Sequence, residues 1–308
     1  GSCYDINGTN NVAIQYTGLS GYSSGYNTSN GFVVITNVTQ AYILYTGMSS
    51  PFSFGTANTT GFTGPSQASL ITYYNTQYPS DKWVSSASYF TATSGIQYWI
   101  VPVTGTYRLV AAGAGVGNSS YCRGVIVSNT VSLTAGQQIK ILVGQQPTAN
   151  ICAGGGTFIA TSANSPILVA GGGGGYNASR LLGSNKSDGQ LTTSGADGYK
   201  FNYNAPGGTG GYAGGNTGGA EGGAGFTGNG SGIVTANPND YSNPPYSFIN
   251  GGLGSADFTG PNGNNTGGFG GGGSCYANYG VSDDRPGGGG YSGGGAGDGT
   301  GGGGGSYD

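Results

Sequence analysis

Histidine is absent from this 308-residue chain. Its absence removes the commonest general base, the Ser-His and Cys-His nucleophile pairs and most zinc sites. Charge is scarce too: 6% of residues carry it, against about a quarter in an ordinary soluble domain. Eight basic residues are scattered among eleven acidic ones, so no basic patch marks a nucleic-acid or anionic-membrane surface. No apolar run reaches the ~18–20 residues of a membrane span, and no leader segment is legible in the opening GSCYDING. Cysteine occurs only at Cys3, Cys122, Cys152 and Cys275, with neither a CxxC pair nor a zinc spacing.

Cofactor and metal motifs are missing in the same way. VAAGAGVGN (110–118) imitates a dinucleotide loop, but its third glycine falls one place early and no helix pattern follows. GGAGDG (294–299) is a single copy at the wrong spacing for a calcium repeat. Asp283 and Asp284 beside Arg285 read as a solvated turn, and nothing marks a carboxylate pair for glycoside hydrolysis. These readings predict no catalytic residue, no cofactor, no metal and no enzymatic activity.

What is present is glycine, 70 residues of it, with 23 tyrosines and 35% hydrophobic residues. A slack linker would be polar or charged; this chain has enough apolar matter for a core. Helical periodicity is nearly confined to SQASLITYYNTQY (66–78). Strands are written more clearly. GFVVITNVTQAYILYTG (31–47) holds two β-branched, aromatic runs about Asn37. In GIQYWIVPVTGTYRLVAAGAG (95–115) a turn through Pro102–Gly105 separates two strands, and Tyr107, Leu109 and Ala111 alternate along the second. RGVIVSNTVSLTAGQQIKILVGQ (123–145) reads as three short strands broken at Ser128-Asn129 and Ala135-Gly136, followed by TFIAT (157–161) and PILVA (166–170). Strands at this spacing mean an all-β antiparallel sandwich or barrel. The expected organisation is an N-terminal β region at 1–90, forming its own domain or completing the sandwich, a sandwich at 91–170, and a glycine-rich region at 171–308 with a more ordinary insert at 233–258.

The glycine spacing drifts between xGG and xxGG, and proline is sparse, which excludes collagen. A polyproline-II-type thread still has three residues per turn. Sorted by threes, 207–225 puts Thr209, Tyr212 and Glu221 on one side and mainly glycine on the others; 287–307 gives one face wholly of Gly and Ala. Such a thread has no internal hydrogen bonds, so its amides need partners on a neighbour. Fixing each backbone unit costs ~1–2 kcal/mol and a net hydrogen bond returns only ~0.5–1.5 kcal/mol. A lone thread would be slack; a bundle needs a folded scaffold. Tyr212, Phe226, Phe269, Tyr291 and Tyr307 sit where they could pin it.

GIQYWIVPVTGTYRLVAAGAGVG (95–117), KILVGQQP (140–147), AGGGTF (153–158), PILVAGGGGGY (166–176) and GGFGGGGSC (267–275) resemble, in this order, the glycine-rich extracellular domain of the anaplastic lymphoma kinase family of receptor tyrosine kinases. The resemblance covers about 90–305. It implies a TNF-like (jelly-roll) β-sandwich bearing an inserted bundle of polyglycine-II helices, in an extracellular setting with disulfides. Glycine-rich viral and phage adhesins are similar. The family adds strands after its last glycine run, whereas this chain reads GGGGGSYD, so an unclosed sheet edge is expected.

Sequons stand at Asn7, Asn27, Asn37, Asn58, Asn118, Asn177, Asn185, Asn229 and Asn264, and with the cysteines they favour an extracellular protein. Four cysteines allow three pairings; Cys122–Cys152 and Cys3–Cys275 are the expected ones. The function expected first is a non-enzymatic structural or adhesive protein that self-assembles, an open edge accepting a strand from the next copy. Its partners would be further copies or another surface protein, with glycans as a further class. The alternatives are a ligand-binding receptor ectodomain and a viral or phage tip adhesin.

Overall fold

The computed structural model describes residues 25–37, 44–117, 122–149, 151–175, 185–199, 205–217, 219–232, 242–257, 265–274 and 284–308. Ten strands make two antiparallel five-stranded sheets. They are β1 (Gly25–Asn27), β2 (Phe32–Asn37), β3 (Phe52–Phe54), β4 (Phe90–Thr93), β5 (Ile96–Ile100), β6 (Gly105–Ala112), β7 (Gly124–Leu133), β8 (Gln138–Leu142), β9 (Thr157–Thr161) and β10 (Pro166–Ala170). The first sheet has the order β1-β7-β6-β2-β3, the second β10-β9-β8-β5-β4. β1, β2 and β3 therefore share a sheet with β6 and β7, and β4 shares one with β5, β8, β9 and β10. The single α-helix among the described residues, α1 (Gln67–Gln77), begins where Ser66 Oγ accepts the Ser69 amide at 3.1 Å, an N-cap.

Period-two alternation sorts side chains between the faces. Tyr107, Leu109 and Ala111 of β6 enter the inter-sheet core with Val33, Ile35, Trp99, Ile139, Ile141, Ile159 and Leu168. Phe158, Ala160 and Val169 point to the other side of the second sheet, where a second apolar cluster covers them. That sheet is thus apolar on both faces, which is why TFIAT and PILVA are nearly unbroken apolar runs rather than alternating ones. Each large side chain buried here stabilises the fold by about 1.5–3 kcal/mol.

Asn129 does not break a strand. β7 runs continuously from Gly124 to Leu133, pairing with β6 from Ala112↔Ile126 to Gly105↔Leu133. Two full-length neighbouring strands outweigh the local turn preference of a Ser-Asn pair. The second run expected at 38–47 forms no strand at 44–47, and 38–43 lie outside the described residues.

Against the expected open edge, the edges at β3, β4 and β10 are occupied. At β3, Tyr78 Oη accepts the Ser53 amide at 3.1 Å and Tyr74 Oη accepts the Gly55 amide at 2.9 Å. At β4, Gln67 Oε1 accepts the Ala92 amide at 3.1 Å. Two side chains of α1, Gln67 and Tyr74, and its C-cap residue Tyr78 therefore satisfy edges belonging to both sheets. β10 is covered by the end of the chain: Val169 and Tyr307 exchange backbone hydrogen bonds of 2.7 and 2.9 Å, and Ser306 Oγ accepts the Gly171 amide at 3.1 Å. An unpaired edge recruits strands because its amides lack partners; these amides have them.

Tyr74 also donates to Gln97 Oε1 at 2.6 Å, while Trp99 Nε1 donates to Tyr45 Oη at 2.8 Å and Tyr45 donates to the Ile100 carbonyl at 2.7 Å. Burial pushes the phenols of Tyr45 and Tyr74 well above the ordinary tyrosine range. Tyr107 is raised by burial to about 12. An acid raised on folding adds stability that is fully present below its unfolded pKa of about 10 and is lost as pH climbs towards the folded value. The protein should therefore unfold cooperatively above about pH 10, with tyrosinate absorbance and loss of near-UV dichroism rising together. Early, non-cooperative ionisation of every tyrosine would contradict the buried network.

Candidate functional site: the glycine threads

The second sheet's outer face is a platform of Ile96, Leu142, Phe158, Ala160 and Val169. Phe226, Phe248 and Phe269 from the glycine-rich region pack on it. Phe158 and Phe248 stack with centroids 5.2 Å apart, Phe248 and Phe226 at 4.9 Å, and the row continues through Tyr291 to Tyr307 at 6.1 and 4.8 Å. Of the residues expected as pins, Phe226 and Phe269 are buried, Tyr291 and Tyr307 are half-buried, and Tyr212 alone stays exposed, at 66%.

Apart from one short pairing of Gly297–Asp298 with Asp284–Arg285, four glycine segments carry no ladder, and their amides bond outward. Gly172 donates to Gly289, Gly173 to Ala114, Gly174 to Ser187, and Gly175 returns to the first neighbour at Pro286. Gly287, Gly288, Gly289 and Gly290 donate to Glu221, Gly302, Gly154 and Ala224. Gly293 to Ala296 address Tyr212, Gly288, Ala196 and Gly215, and Gly301 to Gly304 address Gly175, Gly295, Lys186 and Gly172. In each of these four segments the fourth donor comes back to the segment that the first one reached. Successive amides thus point to three different neighbours, and each is satisfied without secondary structure.

Only glycine permits this spacing. A Cβ on Gly171 would fall within 3.0 Å of the Gly304 carbonyl, on Gly304 of Gly289, on Gly294 of Gly302, and on Gly155 of Phe269. In each case the obstacle is backbone, which cannot step aside. Methyls are accommodated at a few places, where Ala205, Ala220 and Ala296 pack together as a small core of their own. The charged groups are pinned: Arg123 Nη2 and Nε reach Asp188 Oδ2 and Oδ1 at 2.7 and 3.2 Å, tying β7 to the thread. Buried Glu221 accepts from Ser274 Oγ at 3.2 Å.

The sequence-predicted residues scatter. Cys122 and Cys152 are both buried, but no disulfide joins them; the expected pairing is corrected. Cys122 stands in a left-handed turn at φ 62°, and burial pushes its thiol up to about 12 despite a hydrogen bond from Ser187. Cys3 and Cys275 lie outside the described residues, as do Asn7, Asn118, Asn177 and Asn264. Asn27 and Asn37 are strand residues opposite Gly124 and Tyr107, and Asn185 opens a 3-10 turn. Asn58 and Asn229 are exposed. Asn229 Oδ1 accepts from Ser247 N, Ser247 Oγ and Asn250 Nδ2, each at 2.9 Å, and so holds the insert's turn against the thread. The sequence placed glycine on faces of a thread but gave no means of matching one thread to another.

Gly294→Ala should lower stability by about 3 kcal/mol or more, since backbone must move. Gly136→Ala is the control. Its φ of 83° disfavours alanine but its Cβ would meet nothing within 4 Å, so about 1–2 kcal/mol is expected. Urea midpoints of the two variants measure the difference, and near-equal losses would refute thread packing. Non-reducing peptide mapping should recover no Cys122–Cys152 peptide.

No protein-family model matches the chain. The chain is 32% identical over 114 residues to the leukocyte tyrosine kinase receptor of Mus musculus, a stretch that takes in 35% of this chain and 12% of that receptor. The similarity thus spans about an eighth of the relative's length, and it fits the kinase-family resemblance of the glycine-rich sequence.

Proposed function

We propose that this chain is an extracellular, non-enzymatic receptor-like recognition module, in which a TNF-like sandwich carries a rigid bundle of polyglycine-II threads. The similarity to part of a receptor tyrosine kinase is the observation that carries the receptor-like reading. The three-neighbour hydrogen bonding of the threads supports the bundle, because a polyproline-II-type helix turns once in three residues and bonds only outward. A module of this kind holds a ligand by shape. Its backbone is already ordered, so little conformational entropy is lost on binding.

The self-assembly reading has less to rest on. Strand exchange needs an edge with free amides, and those of β3, β4 and β10 have partners within the chain. Low charge alone permits stacking but does not drive it.

The receptor form requires the natural gene to continue beyond Asp308 into an apolar helix of about 20 residues. Transcript sequencing across that point decides the matter: a membrane span followed by a cytoplasmic region is expected, and a stop codon at Asp308 would overturn the receptor form.

A further inference from the structure

The turn between β3 and α1 is held in an unusual way. Ala57 and Asn58 are both in the left-handed region, at φ 50° and 61°, and the Thr59 amide donates to the Thr56 carbonyl at 3.0 Å. This is a tight turn with two positive-φ residues, normally made by Asn-Gly or Gly-Gly. An alanine in the first of these places is strained and persists only where its surroundings over-determine it.

Ala57 packs against the inter-sheet core, and the rest of the surroundings are polar. Asn30 Nδ2 donates to Thr56 Oγ1 at 3.3 Å and to the Thr59 carbonyl at 3.1 Å, while its Oδ1 accepts the Gln146 amide at 2.5 Å. Thr59 Oγ1 donates to the Thr56 carbonyl at 2.6 Å and accepts from Gln145 Nε2 at 2.9 Å. Gly61 bonds the Gln146 carbonyl and, through its own carbonyl, the Phe269 amide of a glycine segment, at 2.8 and 2.7 Å. The turn is fixed from the β1–β2 connection, from the segment after β8 and from the glycine segments. What it holds outward is Asn58, with Thr60 exposed two places on and Thr59 turned in.

Asn58-Thr59-Thr60 is an acceptor triplet. The other sequons among the described residues are placed differently. Asn27 and Asn37 belong to paired strands, Asn185 to a short helical turn, and Asn229 has its carbonyl oxygen engaged by three donors. We infer that Asn58 is a site at which this protein carries an N-linked glycan, displayed on a locked turn beside β3. The inference rests on the extracellular reading above. In the attachment, Asn58 Nδ2 bonds to the anomeric carbon of an oligosaccharide carried on a lipid diphosphate. The carbon–oxygen bond to the diphosphate breaks, the lipid diphosphate leaves, and Nδ2 gives up one proton. Nothing is oxidised or reduced.

The test uses the full chain behind a cleavable leader in a eukaryotic secretory host, with peptide mapping before and after peptide N-glycosidase. The Asn58 peptide should be recovered from the secreted protein as a glycopeptide. Asn58→Gly, which suits the positive φ, and Thr60→Ala, which leaves Asn58 in place, should each lose that one glycan and still be secreted. An unmodified Asn58 peptide from secreted protein would overturn the inference, as would glycan retained in the Thr60→Ala protein. Labelling the native protein with a membrane-impermeant reagent on intact source material tests the extracellular reading separately. An occupied Asn58 in the host with an unlabelled native chain would remove that reading while keeping Asn58 as the acceptor position.

Discussion

The glycine-rich half depends on one constraint, that peptide groups of neighbouring threads come close enough to bond one another. Gly172 shows both sides of it: its amide reaches Gly289 while its carbonyl takes the amide of Gly304. A side chain at Gly171, Gly294 or Gly304 would occupy the space through which such bonds run. Net hydrogen bonds of ~0.5–1.5 kcal/mol do not by themselves outweigh ~1–2 kcal/mol of backbone entropy per residue. The bundle therefore leans on the apolar contact between Phe226, Phe248 and Phe269 and the second sheet's outer face, which adds a stabilising term that the threads lack.

That dependence explains why the two parts of the molecule are built into each other. The sandwich's second sheet is apolar on both faces because one face serves the core and the other serves the threads. The threads return the support. The segment from Gly304 to Tyr307 bonds the β10 edge, and Asp188 holds Arg123 at the head of β7. On the opposite side Gln67 and Tyr74 of α1 and its C-cap residue Tyr78 do the same service for β4 and β3.

Much of the sandwich was legible from local pattern. The strands at 157–161 and 166–170 and the helix within 66–78 lie where periodicity and turn residues put them, and the alternation of Tyr107, Leu109 and Ala111 named the inward face of β6. The strand break at Ser128-Asn129 was misread because β7 is long only by virtue of pairing along its whole length with β6. The disulfide between Cys122 and Cys152 was misread for a similar reason: closeness in the loop order says nothing of where two side chains point. The closed edges could not be foreseen, since α1 satisfies them with ordinary Gln and Tyr residues that carry no mark of that role.

Strand spacing in the sequence determined that this is an all-β chain, and composition determined that it has little charge and no histidine chemistry; its glycine must sit in close-packed backbone or be slack, because glycine offers nothing else to pack. Which thread meets which was decided only by tertiary structure. Glycines are interchangeable in sequence, and the partner of any one amide depends on where the scaffold and the aromatic row together place it.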